Sequence, residues 1–252
     1  MEKMKDYIAV FDSGLGGISV LRELVKELPE EKFYYWGDSR HTPYGDKSLK
    51  EVQDRTMEAI NNFRAKGAKA VVVACNTATS AAITIARNVY ADMPIIGIEP
   101  ALKPAAQADD NARILVLATA NTLKLDKYHK LYKAYGKGLT VHEVACVGLA
   151  EAIEDGDAES EEVKALLHKY LDPYKDKVDS VVLGCTHYPF VQDQIADILG
   201  DVTIYDGAEG TARQLRRELE AHDLLAKEGE GDVKLDSSLP EAVAVYEKFL
   251  NL

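Results

Sequence analysis

Apolar residues in this chain come in short unbroken runs, separated by longer stretches of helical period. Ile8-Ala9-Val10-Phe11 ends at Asp12-Ser13-Gly14, and Val71-Val72-Val73-Ala74 ends at Cys75-Asn76-Thr77. Ile114-Leu115-Val116-Leu117-Ala118 stops at Thr119, and Val181-Val182-Leu183-Gly184 stops at Cys185-Thr186. Short β-branched runs bounded by small polar residues predict strands buried on both faces, as in a parallel sheet. Between them the apolar residues step by three and four. Ile18, Leu21, Val25 and Leu28 form one stripe, Leu49, Val52, Thr56, Ile60 and Phe63 a second, and Val163, Leu166, Leu167 and Tyr170 a third. Val191, Ile195 and Ile198 follow Pro189 in the same rhythm, as do Leu215 and Leu219. Strands alternating with helices predict an α/β fold with right-handed crossovers.

The order of strand ends repeats. Asp12 is followed 63 residues later by Cys75, and Thr119 is followed 66 residues later by Cys185. This spacing predicts two similar lobes, each a mostly parallel sheet flanked by helices, with the active site in the cleft between them. The first lobe is expected to span residues 1–97 plus 207–252, and the second residues 98–206. Lys227 to Asp232, rich in Glu and Gly, is expected to be the least ordered stretch. Asp155-Gly156-Asp157 and Pro29-Glu30-Glu31 read as turns.

Composition narrows the class. The 252 residues are 46% apolar and 29% charged, the balance of a soluble globular protein. No run approaches the ~18 apolar residues of a membrane span. Met1 to Asp6 lacks the apolar stretch of a signal peptide, so a cytoplasmic protein is expected. A net charge of −12 disfavours nucleic acid as a partner. The three cysteines, Cys75, Cys146 and Cys185, are an odd number and are expected as free thiols.

In open α/β sheets ligands bind outside the carboxyl ends of the strands, where all four polar strand ends lie. Cysteines are often simply core, yet Cys75 and Cys185 stand in matching positions of two similar lobes. A helix start at such a position favours the thiolate. Facing thiols suit inversion of a stereocentre: one thiolate removes a proton and the opposite thiol delivers one to the other face. An ordinary thiol is only a few per cent ionised at neutral pH, so each needs help. Asp12 is placed to serve Cys75, and His187 to serve Cys185. Asp12-Ser13-Gly14-Leu15-Gly16-Gly17 is a glycine-rich turn that presents amides to an anion. It lacks the Lys-Ser/Thr ending of a P-loop and the G-x-G-x-x-G order of a dinucleotide site. Ser13, Asn76, Thr77 and Thr186 add donors that hold carboxylates without a salt bridge. Cys146 falls where structure rather than catalysis is expected.

Three segments together carry a resemblance: Val10-Phe11-Asp12-Ser13-Gly14-Leu15-Gly16-Gly17, Ala74-Cys75-Asn76-Thr77-Ala78-Thr79, and Leu183-Gly184-Cys185-Thr186-His187-Tyr188-Pro189. With Asp38, Pro43-Tyr44-Gly45 and Gly97-Ile98-Glu99-Pro100, they make the chain resemble the glutamate racemase family from residue 8 to about 210. The resemblance implies cofactor-independent, two-base interconversion of L- and D-glutamate that supplies D-glutamate for peptidoglycan. It implies that Cys75 acts on the D-isomer and Cys185 on the L-isomer. Asp12, Glu154 and His187 would assist proton transfer. Ser13, Pro43, Tyr44, Gly45, Asn76, Thr77, Thr119, Thr122 and Thr186 would line the substrate site. Without the resemblance, Glu154 reads as a solvated helix end.

Other readings remain open. Aspartate or another amino acid is an alternative substrate in the same superfamily. A metal site on Cys75, Cys185 and His187 lacks the clustered spacing that zinc prefers. A non-catalytic binding protein would not need both cysteines. The expectation is therefore an enzyme with a small-molecule partner, no cofactor, no metal, no membrane contact, and a homodimeric assembly.

Overall fold

The computed structural model describes residues 6–155 and 157–251, so Met1 to Lys5, and Gly156 of the expected turn, lie outside the described residues. In chain order the first elements are β1 (Tyr7–Asp12), α1 (Ile18–Glu27), β2 (Lys32–Gly37), α2 (Leu49–Ala65), β3 (Ala68–Val73), α3 (Asn76–Val89) and β4 (Ile95–Gly97). Next come α4 (Leu102–Ala108), β5 (Arg113–Ala118), α5 (Ala120–Lys124), α6 (Asp126–Tyr135), β6 (Thr140–Ala145), α7 (Leu149–Glu154), α8 (Glu161–Leu171), β7 (Ser180–Gly184), α9 (Gln192–Leu199) and β8 (Thr203–Asp206). The chain closes with α10 (Ala208–Ala221), β9 (Asp232–Ser237) and α11 (Val243–Leu250).

The elements divide into two compact units, Met1–Ile98 with Ala208–Leu252, and Glu99–Gly207. The first holds a sheet of order β4-β3-β1-β2-β9, the second a sheet of order β6-β5-β7-β8. Every strand pair is parallel. The α/β class with two parallel sheets flanked by helices is therefore as the hydrophobic pattern predicts. The four apolar runs are the central strands, and every residue of β1 and β7 is buried. This is what strands covered by helices on both faces require. Among the described residues no helix is long and apolar enough to cross a membrane.

The sheet orders fix where chemistry collects. In the first sheet the chain runs from β1 to β2 on one side, then to β3 on the other side of β1. In the second it runs from β5 to β6 on one side, then to β7 on the other side of β5. Such reversals open a crevice at the carboxyl ends of the two strands. Asp12 ends β1 and Cys75 follows β3; Thr119 follows β5 and Cys185 follows β7. Each unit thus brings its two polar strand ends to its own switch point.

One expectation is corrected. Asp232, read as part of the least ordered stretch, begins β9, whose residues pair in register with β2 from Lys32↔Asp232 to Gly37↔Ser237. The edge position explains why its signal is weak: Asp232-Val233-Lys234-Leu235-Asp236-Ser237 alternates polar and apolar and is mostly half-buried.

Candidate active site

In the first unit, Asp12 is fully buried, and its Oδ1 accepts from the Gly14 amide at 3.0 Å and the Ser13 hydroxyl at 3.5 Å. The glycine-rich turn is held from below by the Tyr35 hydroxyl, which donates to the Gly14 carbonyl. Gly17 is required here by space. A Cβ on it would lie 2.5 Å from Asp12 Cβ and 2.9 Å from the Tyr35 hydroxyl. Gly17→Ala is expected to displace Asp12, costing about 1–3 kcal/mol of stability and at least about tenfold in kcat/KM. Denaturant midpoints and initial rates check this; an alanine variant with wild-type rates contradicts it.

Cys75 is the N-cap of α3, and its Sγ accepts from the Ala78 amide at 3.4 Å. The open N-terminus of a 14-residue helix favours the anionic sulfur. Asp12 stands at the next strand end, since the Ala74 amide donates to the Phe11 carbonyl at 2.8 Å. Thr77 is buried beside Cys75, as is Asn76, whose Oδ1 meets no donor among the described residues. The Tyr44 hydroxyl donates to Asp38 Oδ2 at 2.7 Å, and Gly45 is also buried. Burial foremost, then Asp38 and the nearby Cys75, hold the Tyr44 hydroxyl protonated far above its ordinary range. The Tyr44–Asp46 turn packs against α3, the helix that Cys75 caps.

In the second unit Cys185 is also buried, but its setting differs from that of Cys75. No α-helix starts at Cys185; a short 3-10 turn, Tyr188–Val191, follows. Its sulfur lies 3.7 Å from His187 Nδ1, and His187 Nε2 donates to Glu154 Oε2 at 2.6 Å. The helix start expected after both cysteines is thus found directly at Cys75, while an imidazole–carboxylate pair lies beside Cys185. Glu154 is no solvated helix end. It terminates α7 with its side chain only 12% exposed, turned to His187. Thr119 caps α5, accepting from the Thr122 amide at 3.2 Å, and the two hydroxyls lie 3.0 Å apart. Thr186 is buried between Cys185 and His187.

Burial alone lowers the His187 pKa, but the hydrogen bonds to Cys185 and Glu154 outweigh it and hold the imidazolium well above its usual range. A pKa raised on folding contributes stability that is complete below the unfolded value of about 6.5 and lost as pH climbs past the folded value. The urea midpoint of His187→Asn is thus expected to lie furthest below wild type at about pH 6 and to approach it as pH rises past the folded value. A gap that widens with pH would contradict the pairing. Cys146 belongs to the core of the second unit. Burial, with a smaller contribution from Cys185, pushes its thiol up to about 12, which leaves it an inert neutral group.

The structure thus groups Asp12, Ser13, Pro43, Tyr44, Gly45, Cys75, Asn76 and Thr77 in one unit, and Thr119, Thr122, Glu154, Cys185, Thr186 and His187 in the other. Asp38, noted in the sequence only as part of a segment, proves to be the anchor of Tyr44. The model of the Asp/Glu/Hydantoin racemase family matches residues 8–215. The chain belongs to this racemase family. It is 48% identical over 237 residues to the glutamate racemase of Clostridium perfringens, covering 93% of this chain and 91% of that one. The crystal structure of a glutamate racemase isoform from Bacillus anthracis superposes with a TM-score of 0.84 at 33% identity, covering 100% of this chain and 96% of that one. The glutamate racemase of Francisella tularensis, solved in complex with D-glutamate, gives 0.83 at 27% identity, covering 98% and 94%.

Proposed function

We propose that this chain is a cofactor-independent glutamate racemase that inverts Cα by passing protons through Cys75 and Cys185. The observation that carries this reading is the pair of buried cysteine thiols, each at the switch point of a parallel sheet and each with its own activating partner. Family membership and relatives that are glutamate racemases across nearly the whole chain support it.

Starting from L-glutamate, the Cys185 thiolate takes the Cα proton and becomes a thiol. The Cys75 thiol gives its proton to the opposite face of the carbanion and is left as a thiolate. From D-glutamate the same transfers run in reverse. Each direction therefore needs one thiol charged and the other neutral. The His187 imidazolium stabilises the Cys185 thiolate, and Glu154 holds the imidazole in place. The amide of Ala78 and the α3 N-terminus do the same for Cys75. Asp12 assists the Cys75 side. Asn76 Oδ1, buried with no donor among the described residues, is an acceptor that the substrate ammonium would satisfy. Ser13, Thr77, Thr119, Thr122 and Thr186 supply neutral donors for the two carboxylates. Such donors suit an anionic substrate in a chain of net charge −12.

The D-glutamate formed is proposed to feed peptidoglycan synthesis in the cytoplasm. The test of substrate is a chiral assay with glutamate and aspartate. A difference of one methylene is worth about 10- to 200-fold in kcat/KM, and glutamate is expected to win by at least that lower figure. Equal or better turnover of aspartate would overturn the substrate assignment while leaving the two-thiol chemistry standing.

A further inference from the structure

We propose that Tyr246, in the C-terminal helix α11, is a positioning residue for the Cys75 side of racemisation, bracing the two loops that carry Asp12 and Tyr44. The inference rests on the two-thiol reading and adds a remote residue to it. Tyr246 is fully buried, and α11 packs on β9 and on α1, the helix that follows the glycine-rich turn. Its ring meets that of Tyr35 edge to face, with 5.3 Å between ring centres. Tyr35 in turn donates its hydroxyl proton to the Gly14 carbonyl and so holds the turn that carries Asp12 and Ser13. The Tyr246 hydroxyl lies against Gly37, where a Cβ would collide with it and stand 2.8 Å from the Gly14 carbonyl oxygen. Gly37 thus leaves the space in which the phenol approaches the turn.

The same hydroxyl fastens the second loop. Ser39 Oγ lies 2.6 Å from it and Ser237 Oγ 3.2 Å. Ser237 donates its one hydroxyl proton to the Gly37 carbonyl at 2.9 Å. Tyr246 therefore donates to Ser237, and Ser39 donates to Tyr246. The result is a directed chain from Ser39 through Tyr246 and Ser237 to the Gly37 carbonyl. Ser39 opens the 3-10 turn Ser39–His41, and Asp38 just before it accepts from Tyr44 and pairs with His41, each at 2.7 Å. The Asp38 amide donates to the Asp12 carbonyl at 3.0 Å, which ties the two loops to each other. One phenol thus reaches Asp12 through Tyr35 and Gly14, and Tyr44 through Ser39 and Asp38. All of these residues belong to the first unit, so loosening them acts on proton transfer through Cys75 and not through Cys185.

Tyr246→Phe keeps the ring and removes only the hydroxyl. The experiment compares Cα exchange with inversion in deuterated water, starting from each isomer of glutamate. The carbanion formed from L-glutamate at Cys185 either goes forward through Cys75 or returns. A Cys75 step slowed about tenfold, the scale of a small misplacement, raises return over inversion by the same factor. The ratio of exchange to inversion is therefore expected to rise about tenfold above wild type from L-glutamate, and not to rise from D-glutamate. A merely structural role lowers the urea midpoint and slows both faces alike, which leaves the ratio where it was. Phe249→Leu, at a buried position of the same helix, is the control for that role. Ser39→Ala is expected to give the same one-sided shift, and it carries the test should Tyr246→Phe not fold. The double variant should add nothing to the larger single effect, because both changes cut one chain. Wild-type ratios, a rise from both isomers, an equal shift in Phe249→Leu, or additive single effects would each overturn the proposal. A wild-type chain that does not racemise glutamate would overturn the two-thiol reading itself, and this proposal with it.

Discussion

Cys75→Ser and Cys185→Ser are each expected to lower racemisation by about 10³-fold, because a positioned acid or base contributes roughly 10²–10⁴ to such a step. A serine hydroxyl keeps the size of the thiol but is far too weak an acid to ionise at neutral pH. The loss should fall on kcat, with glutamate still binding, since the neighbouring donors Asn76, Thr77, Thr186 and Ser13 are untouched. The two enantiomers have equal free energy, so kcat/KM must fall equally in both directions whichever cysteine is changed. The variants are told apart by exchange. In deuterated water Cys75→Ser retains the base for the L-isomer and is expected to wash out the Cα proton of L-glutamate without inversion. Cys185→Ser is expected to do the same for D-glutamate only. A variant that racemises at near wild-type rate removes that cysteine from the mechanism, and exchange of the wrong isomer reverses the assignment of faces. His187→Asn should resemble a milder Cys185→Ser, while Cys146→Ser should leave turnover intact, because its sulfur is buried and neutral.

The largest stability effect is expected at Lys69. Its ammonium lies 2.6 Å from Glu31 Oε2 and also donates to the Leu224 carbonyl at 2.8 Å. Glu31 is 3% exposed, and its Oε1 accepts from the Ala226 amide at 2.8 Å. This buried pair fastens the segment after α10 to the foot of the first sheet, ahead of β9. Removing one partner of a buried pair strands the other charge, at a cost of about 3–5 kcal/mol. Lys69→Met should therefore lose about that much in urea unfolding. The double variant Glu31→Leu/Lys69→Met should recover most of it, because paired apolar residues of similar volume replace a buried ion pair at little cost. A single variant within about 0.5 kcal/mol of wild type would mean that water solvates the pair and that the fastening lies elsewhere.

How much of this was legible beforehand depends on which force sets each feature. Strands β1, β3, β5 and β7 are central and covered on both faces, so burial writes them into the sequence as plain apolar runs. Their polar ends mark the switch points, and Cys75, Cys185 and Asp12 were found there. The edge strands carry weaker signals. β9 lies at the edge, and its Asp232 reads in the sequence as loose chain. The helical cap on Cys75 follows from a strand meeting a helical stripe. The surroundings of Cys185 do not, because Glu154 comes from α7, 33 residues from His187 in the chain. Local pattern holds no record of that contact, and only the family resemblance singled Glu154 out. The Asp38–Tyr44 bond was hidden for a similar reason: a 3-10 turn, Ser39–His41, folds the two together without any hydrophobic period to announce it.

One measurement reaches the central claim directly: wild-type enzyme turning over L-glutamate in deuterated water, with both isomers recovered early and their Cα hydrogens counted. If separate thiols work on the two faces, the first D-glutamate formed carries deuterium at essentially every Cα, while unreacted L-glutamate keeps its protium. Product that retains the substrate's own proton would mean that a single group serves both faces, and the roles given to Cys75 and Cys185 would fail.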